Sequence, residues 1–193
     1  MKDRQPNSDR PGVVLVEGES DRLAVETLAS RRGRDLAAER VRVVSMNGIG
    51  NIAMFLRRYG SAGRQAVRLA GLYDGNEEPE VRRGLEMAGF GVGFTRLQIE
   101  ALGFFACEAD LEDELIRAAG VALVEQVVTA NGELGRLRTF RRQPAWRDRA
   151  PEDQLRRFIG THSGRKAEMA VGLTEAIELD RVPRPLERLL RSI

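Results

Sequence analysis

An apolar run, Val13-Val14-Leu15-Val16, stops abruptly at Glu17-Gly18 and gives way to Glu19-Ser20-Asp21 and a helical pattern. A short unbroken run of aliphatic residues reads as a strand buried on both faces, as in a parallel sheet. Such a strand delivers the next residues of the chain to the carboxyl edge of the sheet, where open α/β folds gather their ligands. Here the next residue is a carboxylate, Glu17. A second run, Val67 to Tyr73, ends the same way in Asp74-Gly75-Asn76-Glu77-Glu78.

Between and beyond these runs, strand and helix alternate. Ser20 or Asp21 caps a helix to about Arg32, which Gly33 ends. Val41 to Met46 is a second strand. The glycine turn Asn47-Gly48-Ile49-Gly50-Asn51 leads into a helix through Tyr59, broken at Gly60 and Gly63. Pro79 to Ala88 is helical, and Phe104 to Cys107 is a fourth strand. Helices then fit Leu111–Ala119, Val121–Ala130, Glu152–Ile159, Arg165–Leu179 and Leu186–Ser192, with Pro144, Pro151, Pro183 and Pro185 at breaks. This predicts an α/β fold with a parallel sheet of about four strands flanked by helices. The expected strand order is 2-1-3-4, with the first and third strands meeting at the switch point. We divide the chain into a loose tail over 1–12, a core over 13–119, and a helical extension over 120–193 that brings Lys166 back to the acidic edge.

Composition narrows the function classes. At 193 residues and 42% hydrophobic, the chain suits one globular domain. A net charge of +2 is too weak to argue for nucleic acid by itself. The single cysteine, Cys107, excludes an intramolecular disulfide and any multi-cysteine zinc cage, and fits a reducing, cytoplasmic setting. It follows Phe104-Phe105-Ala106 and reads as a buried structural thiol. His162, the only histidine, supports no histidine-based metal site and reads as a surface cap. No apolar run approaches the roughly 20 residues that span a bilayer, so no membrane is expected. Met1 to Pro11 lacks a signal core.

The chemistry lies in the acids. Glu17 and Asp21 straddle a strand-to-helix turn and can face one cavity. If the first and third strands are neighbours, Asp74 joins them. Carboxylates so close repel one another unless a cation intervenes. Mg²⁺ prefers a few carboxylates, retained waters and phosphate oxygens, and can support in-line displacement at a phosphodiester. Glu108, Asp110, Glu112, Asp113 and Glu114 form a further acidic cluster, which either serves the site or favours a helix dipole. Lys166, one of only two lysines, stands at a glycine turn opening a helix. It is either a solvated surface charge or a cation placed to neutralise a transition-state phosphate. Arg136 to Arg149 interleaves arginines, Arg138, Arg141 and Arg142 among them, with Phe140 and Trp146. Either it is a nucleic-acid face or a solvated helix and loop with two buried rings.

The motif Glu17-Gly18-Glu19-Ser20-Asp21 after a strand, the glycine turn at residues 47–51 and the acidic strand end at Asp74 together resemble a Toprim domain. The closest resemblance is to the Toprim domain of OLD-family (overcoming lysogenization defect) nucleases. Asp110-Leu111-Glu112 after Gly103-Phe104-Phe105, and Ser163-Gly164-Arg165-Lys166 before a long helix, fit that type. The resemblance covers most of Val13 to Leu190. It implies a metal-dependent phosphodiesterase, usually Mg²⁺-supported with Mn²⁺ able to substitute, that nicks or cuts DNA. By position it implies Glu17, Asp21, Asp74, Asn76 and Glu112 as metal ligands. Lys166 would stabilise the transition state, and Glu17 would also serve as base. Glu77, Glu78 and Asp110 are secondary ligand candidates, and Arg165 joins the arginines expected on nucleic acid.

Two departures matter. The family's Asp-x-Asp is Asp74-Gly75-Asn76 here, which removes a charge, and Glu77 or Glu78 would have to replace it. OLD proteins usually carry an ATPase domain ahead of the Toprim part, and this sequence holds no Gly-x-x-x-x-Gly-Lys-Ser/Thr loop. Any ATPase is therefore expected on a separate subunit or is absent altogether; DNA and a second copy of the chain, in a homodimer, are the other expected partners. The alternatives are a non-catalytic module that binds DNA or a partner ATPase, and a nucleotidyl transferase or hydrolase acting on a small phosphate ester. An RNA-maturing ribonuclease is a weaker alternative, because its aspartate-rich third-strand motif is absent.

Overall fold

A computed structural model describes residues 10–60 and 67–193. Residues 1–9 of the expected tail and the expected break at Gly63 lie outside the described residues. Among the described residues the sheet has four parallel strands: β1 (Gly12–Val16), β2 (Val41–Ser45), β3 (Arg68–Asp74) and β4 (Phe104–Cys107). Their spatial order is β2-β1-β3-β4, the order expected from the sequence. All five residues of β1 are buried, because β1 is central and helices cover both faces.

Side chains alternate across the sheet. Val13 and Leu15 enter a smaller core with α2 (Ile52–Tyr59), α3 (Glu78–Met87) and α4 (Arg96–Ala101). Val14 and Val16 enter a larger one with α1 (Glu19–Arg31), α5 (Leu111–Ala119), α6 (Val121–Ala130), α7 (Leu134–Arg141), α8 (Pro151–Ile159), α9 (Ser163–Ala176) and α10 (Arg184–Ser192). Fully buried side chains such as Leu15, Leu28 and Leu155 each contribute about 1.5–3 kcal/mol by leaving water. The larger core runs without interruption from the sheet into the last third of the chain. None of these helices is long and apolar enough to cross a membrane among the described residues.

Polar clasps pin the C-terminal helices to α1 and the loop after it. Arg31 donates from Nη1 to the carbonyls of Thr174 (2.7 Å) and Ile177 (2.6 Å) at the end of α9, where a cation favours the helix dipole. Arg34 donates to the carbonyls of Leu190 and Ile193, and Arg32 pairs with Glu187 at 2.8 Å.

Several local expectations are revised. The N-cap of α1 is Gly18, while Asp21 sits at the third helical position and accepts the Gly18 N–H at 2.9 Å. Helix α9 begins at Ser163 and ends at Ala176, so it starts and stops earlier than predicted. Helix α4 is an addition, and α7 is the helix of the plainer reading of Arg136 to Arg149, beginning at Leu134. His162 takes the N-cap position of α9, but its side chain makes no capping bond. Cys107 is buried as expected; burial, then nearby carboxylates led by Glu114, push its thiol well above the usual range.

Candidate metal centre

The switch point between β1 and β3 gathers the acids. Glu17 is the residue after β1, and Asp74 closes the adjacent strand β3. The chain after Asp74 makes one 3-10 turn, Gly75–Glu77, before Pro79 opens α3. Three residues per turn align positions i and i+3, so Glu77 comes round beside Asp74. One carboxylate oxygen from each of Glu17, Asp74 and Glu77 lies within 4.8 Å of the others. Asn76 stands a third of a turn away and is exposed. Glu78 is held by Arg82 and by Arg96 (2.7 Å). Of the acids that follow Asp74, Glu77 therefore joins the group and Glu78 does not.

Two local features hold these carboxylates in place. The turn at Asn47-Gly48 folds back so that the Gly48 N–H donates to the Glu17 carbonyl at 3.1 Å. Gly48 has φ +107, a left-handed conformation that favours glycine. At Gly75 a Cβ would overlap the Glu108 carbonyl oxygen and stand 2.8 Å from that of Cys107. Glycine is required there because the end of β4 presses on the turn that carries Asp74 and Glu77.

Around this trio stand Asp21, Asp110 and Glu112. Burial first, then the charges of Glu17, Asp21, Asp110 and Glu112, push Asp74 up to about 8. Glu77 is raised to about 7 by burial, then by a hydrogen bond to Glu17 and by its charge. Asp21 is raised to about 6: burial dominates, the Gly18 N–H opposes it, and Glu112 and Glu17 add repulsion. Without a cation, the cluster retains protons that isolated carboxyls would have lost.

Glu112 is 7% exposed and sits in the first turn of α5. Lys166, in the first turn of α9, brings Nζ to 3.0 Å from its Oε1, although the contact lacks the alignment of a hydrogen bond and leaves Oε1 without an aligned donor. Burial alone would lower the Lys166 ammonium, but Glu112, with Asp21 and Asp110 beyond it, turns the net shift upward. Asp110 is committed elsewhere. It caps α5 by accepting the Asp113 N–H at 2.8 Å, and its other oxygen pairs with Arg156 at 2.5 Å. Glu108, Asp113 and Glu114 surround Arg117.

The donor set fits a hard divalent cation. All three converging ligands are carboxylate oxygens, the donors that Mg²⁺ and Mn²⁺ prefer, and they lie within 4.8 Å of one another. Glu77 Oε2 is buried with no hydrogen-bond partner, an arrangement that costs free energy until something binds it. Glu17, Asp74 and Glu77 would hold such an ion, with Asp21 and Glu112 behind them.

The arginines expected on nucleic acid are scattered. Arg165 is 7% exposed, pairs with Glu133 at 2.5 Å, donates to the Phe158 carbonyl at 2.8 Å and lies over the Phe158 ring. It is a packing residue, with its guanidinium buried and paired inside the protein rather than offered to nucleic acid. Arg141 pairs with Glu125 at 2.6 Å, while Arg138 and Arg142 are exposed. Phe140 stacks on Trp146 with centroids 5.3 Å apart, and its ring lies 5.7 Å from Phe158. That ring is core, as the plainer reading held.

Residues 11–70 match a family model described as the TOPRIM domain of overcoming lysogenization defect protein-like proteins. The fold is similar to the C-terminal region of the Xanthomonas campestris pv. campestris OLD protein. One structure of it gives a TM-score of 0.73 at 24% identity, covering 95% of this chain and 92% of that one. Another, phased with mercury, gives 0.72 at 22% over 95% and 94%. The C-terminal region of the Burkholderia pseudomallei OLD protein gives 0.68 at 20% identity over 94% and 95%. No curated protein matches the chain.

Proposed function

We propose that the chain, whose residues 11–70 match an OLD-like TOPRIM domain model and whose fold is similar to OLD C-terminal regions, is a metal-dependent phosphodiesterase that nicks or cleaves DNA. The observation that carries the proposal is the convergence of Glu17, Asp74 and Glu77 from the ends of two adjacent strands, within 4.8 Å. A bound Mg²⁺ or Mn²⁺ would supply Lewis acidity at the phosphate and a nucleophilic water near neutral pH.

The protein's own groups divide the remaining work. Glu17 is the residue best placed to accept a proton from the attacking water, since it stands at the mouth of the central strand. Lys166 offers an ammonium at the rim of the cluster, where negative charge builds on the phosphate in the transition state. Glu112 orients that lysine, and the Gly18 N–H holds Asp21.

The test is nicking of supercoiled plasmid with Mg²⁺ and with Mn²⁺. Cleavage should vanish in excess chelator, and Glu17→Ala should reduce it by about 10²–10³-fold. Cleavage that persists in chelator refutes the proposal. Asn76 favours a second reading, a non-catalytic module, because it subtracts an anionic ligand from the family pattern. That reading requires DNA affinity without turnover across several metals. Labelled nucleotides, converted while DNA stays intact, would point instead to a small phosphate ester.

A further inference from the structure

Beside the acidic cluster lies a cleft of about 540 Å³ whose lining includes Glu112, Lys166, Arg149, Arg157 and Trp146. Glu112 and Lys166 belong to both places, so the cleft is continuous with the candidate metal centre. Resting on the phosphodiesterase reading, we propose that this cleft holds a single unpaired strand of nucleic acid flanking the scissile phosphate.

The cleft differs from an arbitrary basic patch because its wall is built. Gln154, 6% exposed on α8, donates from Nε2 to the carbonyls of Trp146 (2.8 Å) and Arg149 (3.1 Å). A buried amide thus clips the turn after α7 against α8 and fixes both residues. One face of Trp146 is covered by the Phe140 ring, yet the indole remains partly exposed. Aromatic groups held in this way serve as platforms for bases or sugars. Arg156 is occupied by Asp110. Arg149 and Arg157 are exposed and make no ion pair among the described residues, so they are the guanidiniums available to phosphates. Asp153 also lines the cleft and opposes an anionic ligand.

Size selects the form of the ligand. A volume of this order lies within the range of nucleotide-sized ligands, about 300–1,000 Å³. A base-paired duplex, whose major groove alone is about 12 Å wide, is larger than a cleft of this volume encloses. Supercoiled plasmid supplies unpaired segments through local melting, so plasmid nicking and single-strand binding are compatible.

Trp146 is the only tryptophan, which makes its fluorescence a reporter of this cleft alone. The full chain in chelator is titrated with a single-stranded DNA oligonucleotide, an RNA of the same sequence and length, and the blunt DNA duplex. The expected result is quenching by either or both single strands, with affinity at least 10-fold above the duplex. Arg149→Ala/Arg157→Ala should weaken that affinity at least 10-fold and lower the salt slope by about 1.4, with an unchanged thermal melt. Asp153→Asn should tighten it. Absent quenching, a duplex bound as tightly as the strands, or unchanged affinity in the double variant overturns the proposal. Because binding is read without metal, quenching without cleavage would refute the phosphodiesterase reading while sparing the cleft. Undiminished cleavage and affinity in the double variant would do the reverse.

Discussion

Replacing Asp74 with asparagine removes one charge from the middle of the acidic cluster and keeps the side-chain shape. In the metal-free protein this carboxyl sits near 8 against an ordinary value of 3.8. Between those limits the folded chain keeps a proton that the unfolded chain has lost. The folded state binds more protons, so stability falls as pH rises through that window. Each unit is worth at most about 1.4 kcal/mol, giving a ceiling of about 4 kcal/mol between pH 5 and 8. Water at the open face of the site screens this to roughly 2 kcal/mol. For a chain of this size that is a fall in Tm of roughly 4–8 °C. Scanning calorimetry in chelator should show at least that fall in the parent protein and a shallower one in Asp74→Asn, which keeps the raised Glu77 and Asp21 carboxyls. At pH 8, Mg²⁺ should raise the Tm of the parent and leave the variant where it was. Superimposable pH profiles, or equal stabilisation of both proteins by Mg²⁺, would refute the reasoning.

The geometry yields three further expected outcomes. Glu77→Gln should weaken Mn²⁺ binding by calorimetry about 10-fold or more, whereas Asn76→Asp, at an exposed position, should change it little; the opposite ranking would restore Asn76 to the ligand set. Lys166→Met should slow cleavage by about 10²–10³-fold and lower urea stability by about 1–3 kcal/mol, since it strands the buried Glu112 carboxylate. Glu112→Gln in the same background should recover most of the stability and none of the rate. Gly75→Ala should cost about 1–3 kcal/mol in chemical denaturation, because its methyl meets backbone carbonyls that cannot swing away.

The sheet was legible because β1 and β4 are continuous apolar runs that end in acids, β3 ends at Asp74, and β2 is rich in valine and ends at a glycine turn. Strand order came from placing β1 and β3 together at the switch point, where Glu17 and Asp74 do meet. The illegible part depended on angles along the chain. Asn76 and Glu77 are neighbours in sequence, and only a 3-10 turn ahead of Pro79 decides which one faces Asp74. Arg165 and Lys166 are likewise adjacent cations, yet one is buried against Phe158 and the other reaches Glu112. Helix α4 is six residues long and escaped a reading based on periodicity. Its capping box, Thr95 with Gln98, was nonetheless visible as a spacing. Trp146 and Arg149 lay in a stretch legible as a nucleic-acid face, but the cleft itself was not, because Gln154, which shapes it, carries no charge and no motif.

The clasps from Arg31, Arg32 and Arg34 join residues 143 to 159 positions apart. Contacts of such separation form late, after loop closure over most of the polypeptide. While the chain is being synthesised, the carboxylates of residues 17, 74 and 77 can gather well before the helix bearing the opposing ammonium has docked. On the phosphodiesterase reading, a nascent chain would thus lack the cation at the phosphate until α9 has docked.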